Sequence, residues 1–188
     1  MPIGNSNNYL NLNIVEFAQS KILDEINNEV SMHTLWREQT AILIFLRHFA
    51  CIECRKFAQQ IWLDRKKYEA SGGRIRFIGN GQARFIKAFK EDLNIQEAPI
   101  YTDPSLKVFR AAGFKRGFLA AAGPKSLLSG LKMYRDGHKQ DSYEKGKGDL
   151  WQMGGVIVMN PEGRLTYKYV SQVLGDFPPE KDLGNTNV

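Results

Sequence analysis

The run Ala41-Ile42-Leu43-Ile44-Phe45-Leu46, followed within a few residues by Cys51-Ile52-Glu53-Cys54, constrains this chain more than any other stretch. Six apolar residues with no polar one among them suit a short strand buried on both faces of a sheet. After Cys54 the period changes: Phe57, Ala58, Ile61, Trp62 and Arg65 recur at helical spacing, leaving Arg55, Lys56, Gln59, Gln60 and Asp64 toward water. The stretch therefore reads as strand, turn, helix, with both cysteines in the helix's first turn. The first N–H groups of a helix lack intrahelical partners and carry partial positive charge, so a thiolate there is stabilised. Arg47, His48, Arg55 and Lys56 push the same way, whereas Glu53 opposes them.

These are the only two cysteines in the sequence, so no framework of structural disulfides exists. A lone CxxC of this kind reads as redox or metal chemistry. Zinc would need four ligands, and His33, His48 and His138 form no second pair spaced for it. Redox chemistry is the expectation: two cysteines this close can cycle between dithiol and disulfide. His48 is either a proton shuttle or a cap on the strand's end. Arg47 either holds an anionic oxygen or forms a salt bridge to Glu53 or Asp149.

Alternation continues downstream. Arg74 to Gly79 forms a second strand, Phe85, Ile86, Phe89 and Leu93 mark a second helix, and Ala98 to Thr102 gives a third strand leading to Asp103-Pro104, a cap and helix opening. Strand-helix alternation implies parallel pairs with helices on both faces. The chain closes with a hairpin, Val156 to Met159 and Arg164 to Val170 around Asn160-Pro161-Glu162-Gly163. Ile14, Val15, Phe17, Ala18, Ile22 and Ile26 predict an N-terminal helix over Asn13 to Asn28, and Val30 to Trp36 reads as a short strand or an irregular approach. Gly113 to Gly130 is expected to cover one face of the site, and Tyr134 to Gly148 to form a long loop.

A length of 188 residues predicts one domain, with residues 1–30 as an extension, 41–175 as the core and 176–188 as a tail. The net charge of +6 is scattered, with acids between the bases, which argues against a nucleic-acid partner. No apolar run approaches a membrane span, and the polar start lacks the layout of a signal peptide. A cytoplasmic protein is the expectation, as a monomer or homodimer.

Three motifs in order, Phe45 to Arg55, Tyr101-Thr102-Asp103-Pro104-Ser105-Leu106 and Gly148-Asp149-Leu150-Trp151-Gln152-Met153-Gly154-Gly155, resemble the peroxiredoxin-like 2 family. This is a branch of the alkyl hydroperoxide reductase and thiol-specific antioxidant superfamily that includes prostamide/prostaglandin F synthase-type reductases. The resemblance spans about Ala41 to Pro179. It implies an α/β thioredoxin-like fold with a central mixed sheet flanked by helices. It also implies peroxide or related reduction without a cofactor, and regeneration by an external dithiol such as thioredoxin. Typical peroxiredoxins carry a Pro-x-x-x-Thr-x-x-Cys signature; here Cys51 takes the threonine's place, which makes Cys54 the attacking sulfur. Thioredoxin logic favours the first and more exposed cysteine, so Cys51 is the expected nucleophile. Arg47, His48, Trp151 and Gln152 are expected around the substrate. Gly154-Gly155 stands where thioredoxins carry a cis-proline and would admit a substrate backbone. A non-catalytic redox sensor, or a specialised reductase or isomerase of an endoperoxide, is the alternative.

Overall fold

The computed structural model describes residues 12–70, 72–117, 144–173 and 175–183. Its centre is β3 (Ala41–Phe45), in which every residue is buried. Ile42 and Ile44 enter one apolar cluster while Ala41, Leu43 and Phe45 enter another on the opposite face, so an uninterrupted apolar run is what this position requires. Beside it lie β4 (Arg74–Gly79), parallel to β3, and β5 (Ile100–Thr102), parallel to β4. On the other side, β6 (Gly155–Met159) runs antiparallel to β3 and pairs with β7 (Leu165–Val170) in the expected hairpin.

The first face is covered by α2 (Ile52–Leu63), α3 (Arg65–Glu69) and α4 (Arg84–Leu93), through Ala58, Ile61, Tyr68, Ile86 and Phe89. The second is covered by α1 (Ile14–Gln19) and α5 (Lys107–Ala111), through Phe17, Val108 and Phe109. The mixed sheet flanked by helices is the thioredoxin-like α/β architecture expected. Asp103 serves α5 from a distance: its Oδ2 accepts the Val108 N–H at 2.7 Å, across a turn in which Leu106 is left-handed.

Three expectations are corrected. The N-terminal helix stops at Gln19, and the rest of that stretch is a hairpin of β1 (Lys21–Leu23) and β2 (Glu29–Ser31), which extends the sheet beyond β5. Asp24 Oδ1 accepts the N–H groups of Ile26 and Asn28, and Asn27 takes positive φ; this turn chemistry overrides the helical spacing. Ile26, expected on a buried stripe, is 77% exposed. Arg55, expected in water, lies over the Phe89 ring and pairs with Asp92 at 3.0 Å. The core also runs past 175: α6 (Glu180–Leu183) buries Leu183 in the α2–α4 cluster. Of the expected cover and long loop, only 113–117 and 144–148 fall within the described residues.

Candidate active site

The cysteines sit where β3 ends and α2 begins. Cys51 is the N-cap residue, and its Sγ accepts the Cys54 N–H at 3.4 Å, a thiol in the place usually held by serine or aspartate. Cys54 lies within the helix's first turn, and its Sγ accepts the backbone N–H of Arg47 at 3.4 Å. Both thiols are free and buried, Cys51 at 4% exposure and Cys54 at 1%.

Arg47 is the organising side chain. Its Nε donates to the Gln152 carbonyl at 3.3 Å, its Nη2 to the Leu150 carbonyl at 2.5 Å and its Nη1 to Cys51 Sγ at 3.6 Å. A buried guanidinium is thus pinned by two backbone oxygens and turned toward sulfur. The alternatives read from sequence are resolved: Asp149 pairs with Arg116 at 2.7 Å, and Glu53 meets the Cys51 thiol, whose Sγ donates to Oε2 at 3.5 Å.

The two thiols titrate as one unit. Cys51 is pushed well up, first by the hydrogen bond it donates to Cys54 and then by burial, while Arg47 opposes the rise. Burial alone would also raise Cys54. The hydrogen bond from Cys51, the Arg47 charge and the Arg47 N–H outweigh it and hold Cys54 below the ordinary thiol range. The pair therefore carries its first negative charge at Cys54, with the Cys51 proton shared toward it. Exposure had favoured Cys51; the electrostatics favour Cys54.

The cavity at the cysteines is lined by Phe45, Arg47, Glu53 and Gly154, and across from them by Ser171, Val173, Gly175, Asp176 and Phe177. Its volume is about 10 Å³, about the space of a single water molecule. The wall after β7 was not legible in the sequence. Phe177 stacks on Phe57 with ring centroids 4.0 Å apart, and Asp176 accepts from the Tyr169 hydroxyl and from the Gln172 N–H. Its only signal was Phe177, an aromatic directly before Pro178-Pro179.

Other expected site residues take different places. His48 does not line this cavity. It is buried beside Gly148, and burial, then the Arg47 charge, lower its pKa to about 3 against a smaller opposing pull from Asp149. It is neutral near pH 7 and too weak a base for a shuttle, so its charge does not help the thiols. Trp151 is 36% exposed and lies outside the cavity. Gln152 acts through its backbone oxygen, while its side chain donates to the Lys115 and Met153 carbonyls. Gly154 lines the cysteine cavity, but neither it nor Gly155 has free space where a Cβ would stand. A Cβ on Gly154 would lie 2.0 Å from the Phe45 oxygen, and one on Gly155 2.2 Å from the Tyr169 oxygen, so the protein's own strands fill that space. Among the described residues no cluster of three or more His, Cys, Asp and Glu side chains is placed to hold a metal.

A dithiol at a helix N-terminus, at the C-terminal end of a central strand and under an arginine, defines a thiol oxidoreductase of the thioredoxin fold. The chain belongs to the AhpC/TSA antioxidant enzyme family, whose model matches residues 60–173, a range that begins beyond Cys54. It is 30% identical over 172 residues to thioredoxin-like protein AAED1, chloroplastic, of Arabidopsis thaliana, covering 87% of this chain and 68% of that protein. It is 28% identical to the prostamide/prostaglandin F synthase of Xenopus tropicalis, covering 84% of this chain and 78% of that one, and 26% identical to peroxiredoxin-like 2C of Homo sapiens, covering 84% and 76%. In fold it resembles peroxidoxin BcpB of Mycobacterium tuberculosis, with a TM-score of 0.59, 15% identity and 84% of each chain covered. It is a peroxiredoxin-like enzyme of oxidoreductase chemistry.

Proposed function

We propose that this enzyme reduces a small peroxide through a Cys54 thiolate, with Cys51 as the resolving thiol and a thioredoxin-type dithiol as the electron donor. One observation carries the reading: Arg47 faces both sulfurs, its backbone N–H on Cys54 and its guanidinium on Cys51, in a small cavity where both thiols are buried. The Cys54 thiolate attacks one peroxide oxygen, the O–O bond breaks, and the released oxygen leaves as water or an alcohol after taking a proton. Cys54 becomes a sulfenic acid. Cys51 then displaces its hydroxyl as water and forms the disulfide, which an external dithiol reduces back to two thiols. Arg47 stabilises the thiolate and the negative charge that develops on the departing oxygen.

The small cavity favours hydrogen peroxide over a bulky organic endoperoxide. The reading extends to a cytoplasmic enzyme, monomeric or homodimeric, with neither membrane nor nucleic acid as partner. Among the described residues no helix is long and apolar enough to cross a membrane. Because the plant relative is named chloroplastic, fractionation of the source cells checks the compartment, and sedimentation checks the oligomer.

The test is NADPH consumption with thioredoxin reductase, thioredoxin and hydrogen peroxide. Wild type turns over, both Cys54→Ser and Cys51→Ser lose turnover, and only Cys51→Ser accumulates a sulfenic acid that dimedone traps. Sulfenic acid trapped on Cys51 in Cys54→Ser, and none on Cys54, would reverse the assignment. Absence of turnover despite a reversible disulfide would leave a redox sensor.

A further inference from the structure

Glu53 is a carboxylate that the cycle above does not use. It is 4% exposed, lines the cysteine cavity, and sits between the two cysteines on the first turn of α2. A carboxylate this deep is costly unless something hydrogen-bonds it. Its hydrogen-bond donor is the Cys51 thiol, at 3.5 Å from Oε2. In a site that must stabilise a thiolate, an acidic neighbour works against the first step. A residue that opposes one step and touches the reacting atom of the next is best explained by that next step.

The resolving step needs a base. Cys51 must lose its proton to attack the Cys54 sulfur, and its burial opposes forming that thiolate unaided. The charged groups around the cavity narrow the choice. Arg47 is cationic, and each of its nitrogens is engaged with Leu150, Gln152 or Cys51. Asp176, from the segment after β7, lines the same cavity, but its Oδ1 accepts the Tyr169 hydroxyl and its Oδ2 the Gln172 N–H at 2.6 Å. His48 lies outside it. Once Cys54 is oxidised and no longer draws that proton as a thiolate, Glu53 is the carboxylate within reach of it, with Oε2 3.5 Å from Cys51 Sγ.

We propose that Glu53 is the general base for disulfide closure. Its carboxylate takes the Cys51 proton, the Cys51 sulfur forms a bond to Cys54, the Cys54 S–O bond breaks, and the proton passes from Glu53 to the departing hydroxide as water. Cys54 sulfenic acid and Cys51 thiol become disulfide and water, and Glu53 returns to its starting form. The proposal rests on Cys54 being the sulfur first oxidised, as in the preceding reading.

The test separates closure from peroxide chemistry by using methyl methanethiosulfonate, a reagent small enough for a narrow site. Cys54 displaces methanesulfinate and becomes a methyl disulfide; Cys51 then attacks the Cys54 sulfur and releases methanethiol. Acid quenching and intact mass follow the adduct and the closed disulfide. In Glu53→Gln the adduct persists roughly 100-fold longer at pH 7 while the rate of its formation does not fall. The closure rate of Glu53→Gln should keep rising with pH into the range where Cys51 ionises unaided and there approach wild type, and Glu53→Asp should restore part of it. Unchanged closure in Glu53→Gln, with wild-type thermal melting, overturns the role of Glu53. Normal two-step behaviour here without peroxide turnover overturns the peroxidase reading instead, leaving Glu53 in place.

Discussion

On one wall of the cysteine cavity, Arg47 is fixed by the carbonyls of Leu150 and Gln152, and β6 presses against β3 so closely that Gly154 has no room for a Cβ. On the other wall, Asp176 and Phe177 are held by one carboxylate's hydrogen bonds and one ring stack, with both residues only partly buried. The first wall is part of the sheet's framework and the second is laid over it. Groups that must not move during bond making are placed in the framework, while the covering wall is held by contacts cheap enough to break. Chemistry and access are thus carried by different segments.

The strongest challenge to that division is Arg47→Met, which keeps the side chain's length and removes its charge. Peroxide turnover should fall roughly 1000-fold, the scale of losing a preorganised charge at a developing anion. The pH at which the first thiol ionises, followed by thiolate absorbance at 240 nm, should rise. A change below tenfold would mean that the helix terminus alone activates the thiol.

A second challenge concerns the stability of the framework wall. The pKa of His48 drops from 6.5 to about 3 on folding, so between those values the unfolded chain binds a proton that the folded protein refuses. The stability associated with its neutral form is present above pH 6.5 and is lost as pH falls toward 3. Unfolding by urea should show up to about 3 kcal/mol less stability at pH 4 than at pH 7, and most of that dependence should vanish in His48→Asn. A third variant, Gly154→Ala, should cost about 2 kcal/mol because β6 must move off β3, and should lower activity by displacing the Arg47 anchors. The smallest effect belongs to the covering wall. Phe177→Ala should leave kcat for hydrogen peroxide near wild type while speeding alkylation of the cysteines by a bulky maleimide about fivefold, equivalent to roughly 1 kcal/mol of stacking. If Phe177→Ala cost as much activity as Arg47→Met, the two walls would not differ as described.

How much of this was visible in the sequence follows the range of the interactions. The β3–α2 unit, the strand-helix alternation and the β6–β7 hairpin announce themselves because each depends on periodicity within a few residues. The Lys21 to Ser31 hairpin did not, because Ile22 and Ile26 fall by chance on the helical repeat that Ile14 and Phe17 begin. Asp24 decides that segment through a turn. Within the site, Arg47 was legible by adjacency to the cysteines. Its anchors at Leu150 and Gln152 were not, since nothing local in either stretch encodes a pairing across the fold. Trp151 drew attention as the large aromatic of its motif, whereas the backbone oxygens on either side of it carry the function. Glu53 was read as an opposing charge or as a salt-bridge partner of Arg47, since sequence shows the sign of a residue and not which proton it touches.

The pinned guanidinium also bears on the energetics of the whole redox couple. A positive charge held beside two sulfurs stabilises the reduced, anionic form and gains nothing from the neutral disulfide. Arg47 therefore shifts the couple toward reduction and makes the disulfide the stronger oxidant, as expected wherever the dithiol form is selectively stabilised. Because the carbonyls of Leu150 and Gln152 prevent the side chain from swinging away once the sulfurs join, that bias persists in the oxidised protein. One immobile charge thus sets both the readiness of the thiolate to attack and the ease with which the spent enzyme draws electrons from its donor.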